Sequence, residues 1–304
     1  YYMWDYFMDD SDFRITGDLS SFNENIRIAG IKLIGDGSIS GQTAWLEKPY
    51  LNTDNYGIPV YSDESMEKAI TFAKENNCQI SVHAMGGRAI DRAIDRFYNE
   101  DGFQYIDTQS VNVEGTEHKS KENLVHRKIA VPRLRLEHLT EPGVNAMEKA
   151  AEKGFAFVCQ PIFAYCEIET YLKNLGKDRI KGLYPFKSIL DSGVKMCFST
   201  DAPATSWAVP SDPFSNMKSA VTKYAYEGTD IGQEQRIDIE TAIRLYTKEA
   251  AEISGFPELG MIKGGYEAGF IVLSEDIFGI DPMRIDEVNV EETYIKGEKI
   301  YSIK

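Results

Sequence analysis

Short apolar runs alternate with amphipathic stretches along most of this chain. The apolar runs are rich in β-branched or aromatic residues, which is typical of buried strands. The stretches between them carry apolar residues at helical spacing. The predicted strands cover residues 1–7, 26–34, 79–83, 133–138, 155–160 and 194–199. Because strands that alternate with helices form parallel sheets or barrels, the pattern predicts an α/β fold.

Capping residues and glycines mark the predicted helices. Ser62 is a suitable cap for a helix over 63–76, and Gly255 closes a helix over 239–254. Another helix is predicted over 142–153. Residues 99–132 are polar and predict a surface insertion or lid, in which His118 and His126 are interpreted as surface residues.

The last fifty residues have a different pattern, with short strands and a turn every few residues. This predicts a small antiparallel β-module over 255–304, attached to a barrel-like domain over 1–254. The predicted strands are Met261–Lys263, Gly269–Leu273, Val288–Val290, Glu292–Ile295 and Lys299–Ile303.

Several predicted strands end in residues that carry chemistry. The residues at or near these carboxyl ends are Lys32, His83, His138, Gln160 and Asp201. The carboxyl ends of parallel strands lie at one rim of a sheet or barrel, which is where active sites are built. We therefore expect these side chains to converge.

Imidazoles and a carboxylate at one rim are typical ligands of a hydrolytic divalent metal, above all zinc. A bound metal activates water, and Asp201 is suited to move a proton to the leaving amine. Lys32, in an apolar strand, has two chemical uses. It can act as a Schiff-base nucleophile, or it can react with carbon dioxide to give a carbamate that binds metal.

Purely structural interpretations exist for each residue. Taken alone, His83 could be a hydrogen-bonded imidazole in the core, and Lys32 could form a structural ion pair with Asp36 or Glu137. Asp201, followed by Ala-Pro, also suits an Asx turn. We favour the metal site because packing alone does not select all of these residue types at strand ends.

The composition is that of an ordinary globular protein, with a formal net charge of −15. This charge disfavours nucleic acid and anionic membranes as partners, and no apolar run is long enough to span a bilayer.

The four cysteines have no CxxC spacing, which favours buried thiols in a reducing, cytoplasmic compartment. The sequence leaves the oligomeric state open, a homodimer included. The aromatic start, without Met, predicts that the chain is a piece of a longer protein.

Four segments carry a family resemblance: residues 30–38 (GIKLIGDGS), 82–91 (VHAMGGRAID), 135–138 (RLEH) and 199–203 (STDAP). They resemble motifs of the amidohydrolase superfamily, in particular amidohydrolase family 3. Within it, the sequence is similar to the YtcJ-like metal-dependent hydrolases that include N-substituted formamide deformylase. Residues 183–193, 241–247 and 260–273 extend the resemblance over nearly the whole chain.

The resemblance implies a TIM-like (β/α)8 barrel whose first strands lie upstream, together with part of a β-sandwich from the carboxyl-terminal segment. It implies one or two zinc ions held by His83, His138 and Lys32, the lysine being carboxylated. It also implies Asp201 as the catalytic aspartate, with Arg88 and Gln160 lining the pocket of a small amide-type substrate.

The chain departs from the family pattern in ways that bear on the metal. The family's His-x-His pair is absent, and Gly87 and Gly269 stand where aspartates are usual. The sequence thus predicts a hydrolase of amide, formamide or cyclic amide bonds. The alternatives are a Schiff-base lyase that uses Lys32 and a catalytically inactive binding or scaffold domain.

Overall fold

The computed structural model describes residues 1–4, 28–106, 130–256 and 258–303 of the 304-residue chain. Its centre is a six-stranded sheet with the strand order β1-β2-β3-β6-β7-β8. The strands are β1 (Tyr2–Met3), β2 (Gly30–Ile34), β3 (Gln79–Ala84), β6 (Leu134–His138), β7 (Ala156–Cys159) and β8 (Lys195–Phe198). All neighbouring strands pair in parallel, which confirms the α/β prediction. Closure into an eight-stranded barrel stays a prediction.

Helices connect these strands, and the described part of the chain contains ten α-helices. They are α1 (Asp63–Glu75), α2 (Gly87–Tyr98), α3 (Val144–Lys153), α4 (Ile162–Cys166), α5 (Ile168–Leu175), α6 (Lys177–Ile180), α7 (Phe186–Asp191), α8 (Pro213–Thr222), α9 (Ile239–Tyr246) and α10 (Lys248–Ser254). Within these described residues, no helix has both the length and the apolar character needed to cross a membrane.

The two faces of the central sheet differ in polarity. In the parallel register, Lys32 pairs with Ser81 and Ser81 with Arg135, while His83 pairs with Glu137. Because side chains alternate along a strand, these residues lie on one face. The intervening positions, such as Leu33 and Val82, are fully buried apolar residues of the main core. Charged and titratable groups therefore share one side of the sheet, and the site is built there.

Local sequence signals account for most helix boundaries. The Ser62 hydroxyl accepts a hydrogen bond from the Ser65 N–H at 3.1 Å and begins α1, which buries Met66, Ala69, Ile70 and Ala73. The predicted helix over 239–254 is instead two helices, α9 and α10, that meet at Thr247. Thr247 leaves the helical region, with φ −116° and ψ −86°, and its hydroxyl donates to the Ile243 carbonyl at 2.8 Å. This side-chain bond competes with the main-chain ladder and explains the break.

The carboxyl-terminal segment forms a three-stranded antiparallel sheet with the order β11-β10-β9. Its strands are β9 (Phe270–Leu273), β10 (Val290–Ile295) and β11 (Glu298–Ser302). Two predicted strands, 288–290 and 292–295, are one strand whose register shifts between Val290 and Glu292. The strand predicted over 261–263 does not form. A 3₁₀ helix (Pro282–Glu287) lies between β9 and β10 and buries Ile285 in the main core. The domain boundary at residue 254 stays a prediction.

The predicted insertion over 99–132 is described only at its two ends. There β4 (Tyr105–Ile106) and β5 (Val131–Pro132) pair antiparallel. His118 and His126 lie outside the described residues.

Candidate metal centre

Two histidines from neighbouring strands meet at the carboxyl rim of the sheet. His83 lies near the end of β3 and His138 is the last residue of β6. Their ring centroids are 4.3 Å apart, with the ring planes inclined by 62°. The backbone of His138 has φ +81°, in the left-handed region that L residues rarely adopt. The fold holds both imidazoles side by side, at some local cost.

Both imidazoles are neutral at pH 7. Burial lowers the pKa of His83 to about 4. Burial also places the pKa of His138 well below its ordinary value of 6.5, and the positive charges that His83 and Lys32 can carry lower it further. Neutral imidazole has a free nitrogen lone pair, so both rings are in the state that binds metal.

In the metal-free protein, the contribution of His83 to stability should be lost as the pH falls from 6.5 towards 4, while Asp36, whose pKa burial raises to about 6, acts in the opposite direction. The unfolded chain protonates His83 near 6.5, whereas the folded chain resists protonation down to about 4. The unfolded state therefore binds the proton first, which removes about 1.4 kcal/mol of unfolding free energy per pH unit in this window. Above 6.5 this contribution is fully present. Urea unfolding across the window, on wild type and His83→Gln, measures it; equal slopes in both proteins would contradict the expectation.

Lys32 lies on β2, on the sheet face that carries His83 and Glu137. Burial lowers its pKa, while the negative charges of Glu137 and Asp201 act in the opposite direction. The structural ion pair considered for Lys32 does not form with a described acid. Asp36 is bonded to main-chain N–H groups, and Glu137 is bonded to Arg135 and Ser81. Burial thus shifts Lys32 towards the neutral amine, the form that reacts as a nucleophile.

Asp201 follows β8 and lies within electrostatic reach of Lys32. Partial burial raises the pKa of its carboxyl, and the Lys32 charge opposes that rise. The turn at this point is closed by the main chain, where the Ala204 N–H donates to the Asp201 carbonyl at 2.8 Å. Within the described part of the chain, the carboxylate accepts no hydrogen bond, so the Asx turn is not observed. The side chain is available for proton transfer.

Gln160 lies beside the histidines, whereas Arg88 does not touch them. The Gln160 amide donates to Ser199 Oγ at 2.8 Å, and its Oε1 and Nδ1 of His138 are buried without a hydrogen bond of good geometry among the described residues. The Gln160 side chain still lies close enough to His138 to raise the pKa of that ring. The Arg88 guanidinium lies 4.5 Å above the ring of Tyr56, in the loop after β2. Gln160 thus faces the candidate site, and Arg88 packs against a loop near its rim.

The donor set suits a divalent metal but is incomplete in the described residues. In them, no group of three His, Cys, Asp or Glu side chains lies close enough to hold a metal ion. Two neutral imidazoles, one with an unpartnered buried nitrogen, supply the ligands that zinc prefers. A third ligand would be the carbamate of Lys32 or a residue outside the described ranges.

Comparison with known proteins identifies the family. The sequence profile described as "Amidohydrolase family" matches residues 10–301. The chain belongs to the amidohydrolase family. The resemblance read from the sequence is therefore confirmed, and so is its closer branch. The chain is 26% identical over 281 residues to "Putative amidohydrolase YtcJ" of Bacillus subtilis, which covers 91% of the chain and 47% of that protein.

Two further relatives match at similar identity. N-substituted formamide deformylase of Arthrobacter pascens is 25% identical over 244 residues, covering 79% of the chain and 40% of that protein. A crystal structure of an uncharacterised metal-dependent hydrolase from Pyrococcus horikoshii superimposes with a TM-score of 0.66 at 25% identity, covering 84% of this chain and 46% of that one. The chain thus spans less than half the length of these relatives.

The structure adds three residues that the sequence reasoning did not place in the site: Asp36, Arg135 and Glu137. Glu137 is buried, and its carboxylate accepts hydrogen bonds from Ser81 Oγ at 2.7 Å and from Arg135 Nε at 2.5 Å. The Arg135 and Lys32 charges lower its pKa to about 2 despite the burial. An available signal was the Arg-x-Glu spacing in a strand, which puts both charges on one face of a buried sheet.

Proposed function

We propose that the full-length protein is a metal-dependent hydrolase that cleaves carbon–nitrogen bonds of amides, formamides or cyclic amides. The observation that carries the proposal is the pair of neutral imidazoles, His83 and His138, whose ring centroids lie 4.3 Å apart. Both rings lie within electrostatic reach of Lys32, which in turn interacts with Asp201. Membership of the amidohydrolase family and the metal-dependent hydrolase among similar structures support it.

His83 and His138 would hold the metal, most suitably zinc, and Lys32 would join them as its carbamate. Carboxylation needs the neutral amine, and burial of Lys32 favours that form. A bound divalent metal would supply Lewis acidity, which lowers the pKa of water and polarises the substrate carbonyl. Whether one ion or two are bound depends on ligands beyond those described.

Asp201 would accept the proton of the attacking water and deliver it to the leaving nitrogen. Its carboxyl lies at the rim and is free of hydrogen bonds to the described residues, so it can exchange a proton with a substrate. Gln160, which lies against His138, would line the substrate pocket. Arg88 would also line the pocket, because its guanidinium packs on Tyr56 in the loop that follows β2.

Asp201→Asn in the full-length protein should retain its metal and lose hydrolysis. Removing a general acid–base group costs about 100-fold or more in kcat. Metal content by plasma mass spectrometry and turnover of a panel of formamides, amides and cyclic amides test this together. Asp212→Asn, at the start of α8, is a matched control and should keep both. Full activity in Asp201→Asn would overturn the role of this residue.

One observation favours a second candidate, a Schiff-base lyase. The lowered pKa of Lys32 suits an amine nucleophile as well as a carbamate. Borohydride in the presence of carbonyl substrates would trap a stable adduct on Lys32 only in the lyase. A metal-free, active protein that gives this adduct would replace the hydrolase proposal.

A further inference from the structure

Asp36 lies in the loop that follows β2, and its side chain is fully buried. Its carboxylate accepts main-chain N–H groups from Trp45 at 2.8 Å, Met85 at 3.0 Å and Gly86 at 2.8 Å. Trp45 belongs to the same loop, whereas Met85 and Gly86 follow β3 directly. A single carboxylate thus fastens together the loops after two neighbouring strands.

The same carboxylate faces the ring of His83. Asp36 Oδ1 lies 3.5 Å from Nε2 of His83, and the carbonyl oxygen of Gly37 lies 2.9 Å from that nitrogen. A carbonyl oxygen only accepts hydrogen bonds, so the 2.9 Å contact requires the proton on Nε2. In the neutral ring, Nδ1 is then the nitrogen with the free lone pair.

The position of the Gly37 carbonyl also depends on Asp36. Gly37 is the next residue in the chain, and the three N–H bonds fix the carboxylate that precedes it. The Gly37 N–H itself donates to the Thr43 carbonyl at 3.2 Å, within the same loop. The Ser38 N–H, on the peptide that carries the Gly37 carbonyl, donates to Thr43 Oγ1 at 3.0 Å. Both groups that face Nε2 are therefore placed by the loop after β2, which Asp36 joins to the end of β3.

We propose that Asp36 is a positioning residue for His83, which holds the imidazole in the orientation and tautomer that leave Nδ1 free for a divalent metal. The inference rests on the proposed function, since it assigns the ligating nitrogen of a proposed metal ligand. Asp36 acts through His83 because its own oxygens are already occupied by main-chain N–H groups. Hydrogen-bond partners of this kind commonly contribute 10- to 100-fold, roughly, to metal affinity.

The test is Asp36→Asn in the full-length protein. Asparagine keeps the size of the side chain but sets an NH₂ group against main-chain N–H donors and removes the charge near Nε2. Zinc affinity, measured by chelator competition, should fall about 10- to 100-fold. In metal-free protein labelled with ¹⁵N-histidine, the wild-type His83 signals should be those of the Nε2–H tautomer, and the variant should give a tautomer mixture. His83→Gln assigns the signals.

Asp212→Asn is the matched control, because Asp212 also accepts a main-chain N–H, from Phe214 at 2.9 Å. It should change neither zinc affinity nor the His83 signals. Wild-type zinc affinity in Asp36→Asn, with unchanged His83 signals, would overturn the inference and leave Asp36 a purely structural residue. An Nδ1–H tautomer in the metal-free wild type would overturn it as well, even if the variant does not fold.

The outcomes also separate this inference from the proposed function. A wild-type protein that binds no zinc, but keeps an Nε2–H tautomer that depends on Asp36, would overturn the hydrolase proposal alone. The arrangement of Asp36 and His83 would then still be supported by the ring signals.

Discussion

His138→Ala in the full-length protein is expected to abolish stoichiometric metal binding and lower kcat/KM by about 10,000-fold or more. His138 is buried at the end of β6, with its ring against that of His83. Removal leaves one imidazole at this rim among the described residues, and a single imidazole does not retain a metal against dilution. Every contribution of the metal to the reaction is lost with it, and each factor of ten is about 1.4 kcal/mol of barrier.

The measurement is metal content per chain by plasma mass spectrometry, followed by steady-state kinetics on the same sample. His126→Ala is the matched control: it makes the same substitution at a histidine in a polar stretch of the sequence, and it should keep metal and activity. His83→Ala should behave like His138→Ala. A His138→Ala protein that keeps one equivalent of zinc and wild-type turnover would refute the assignment of the metal centre.

Glu137→Gln is expected to lower the unfolding free energy of the metal-free protein by about 3–5 kcal/mol, the usual effect of removing one partner of a buried ion pair. Glu137 is 5% exposed, and its carboxylate binds Arg135 Nε at 2.5 Å. The neutral amide leaves the guanidinium without its counter-charge inside the sheet. Urea unfolding of the metal-free protein measures the difference.

Two variants make this test specific. Glu64→Gln removes a partner of the exposed Lys68 pair on α1 and should leave the urea midpoint unchanged. The double variant Arg135→Met with Glu137→Met removes both charges and should recover part of the loss, because no unpaired charge stays buried. If Glu137→Gln unfolds at the wild-type midpoint, the Arg135–Glu137 pair does not stabilise the fold.

The Arg135–Glu137 ion pair adds a second contribution to the pH dependence of the unfolding free energy. The folded pKa of Glu137 is about 2, below its ordinary 4.5. The stabilisation is therefore present above 4.5 and is lost as the pH falls towards 2. This window lies below that of His83, so the two contributions separate in an acid titration of stability.

Local patterns were sufficient for five strands of the central sheet and for the residues at or near their ends. Alternation of β-branched runs with amphipathic stretches depends only on neighbouring residues, and it placed β2, β3, β6, β7 and β8 correctly. His83 and His138 end two of those strands, so the parallel topology alone predicted that they share a rim. The break at Thr247 escaped prediction because a side-chain bond to Ile243 overrides an amphipathic pattern that continues through it.

The sequence by itself therefore determined the parallel α/β sheet and the shared rim of His83 and His138, because the alternation of strands with helices is a local pattern. The convergence of Lys32 and Asp201 on the same metal stays a prediction. Only the tertiary structure decided which of these groups are charged and how they are held. The tautomer of His83 follows from the contact of its Nε2 with the Gly37 carbonyl, and the charge state of Glu137 depends on Arg135 and Lys32. These effects arise from burial and from contacts between separate strands and loops. Neither exists until the chain has folded.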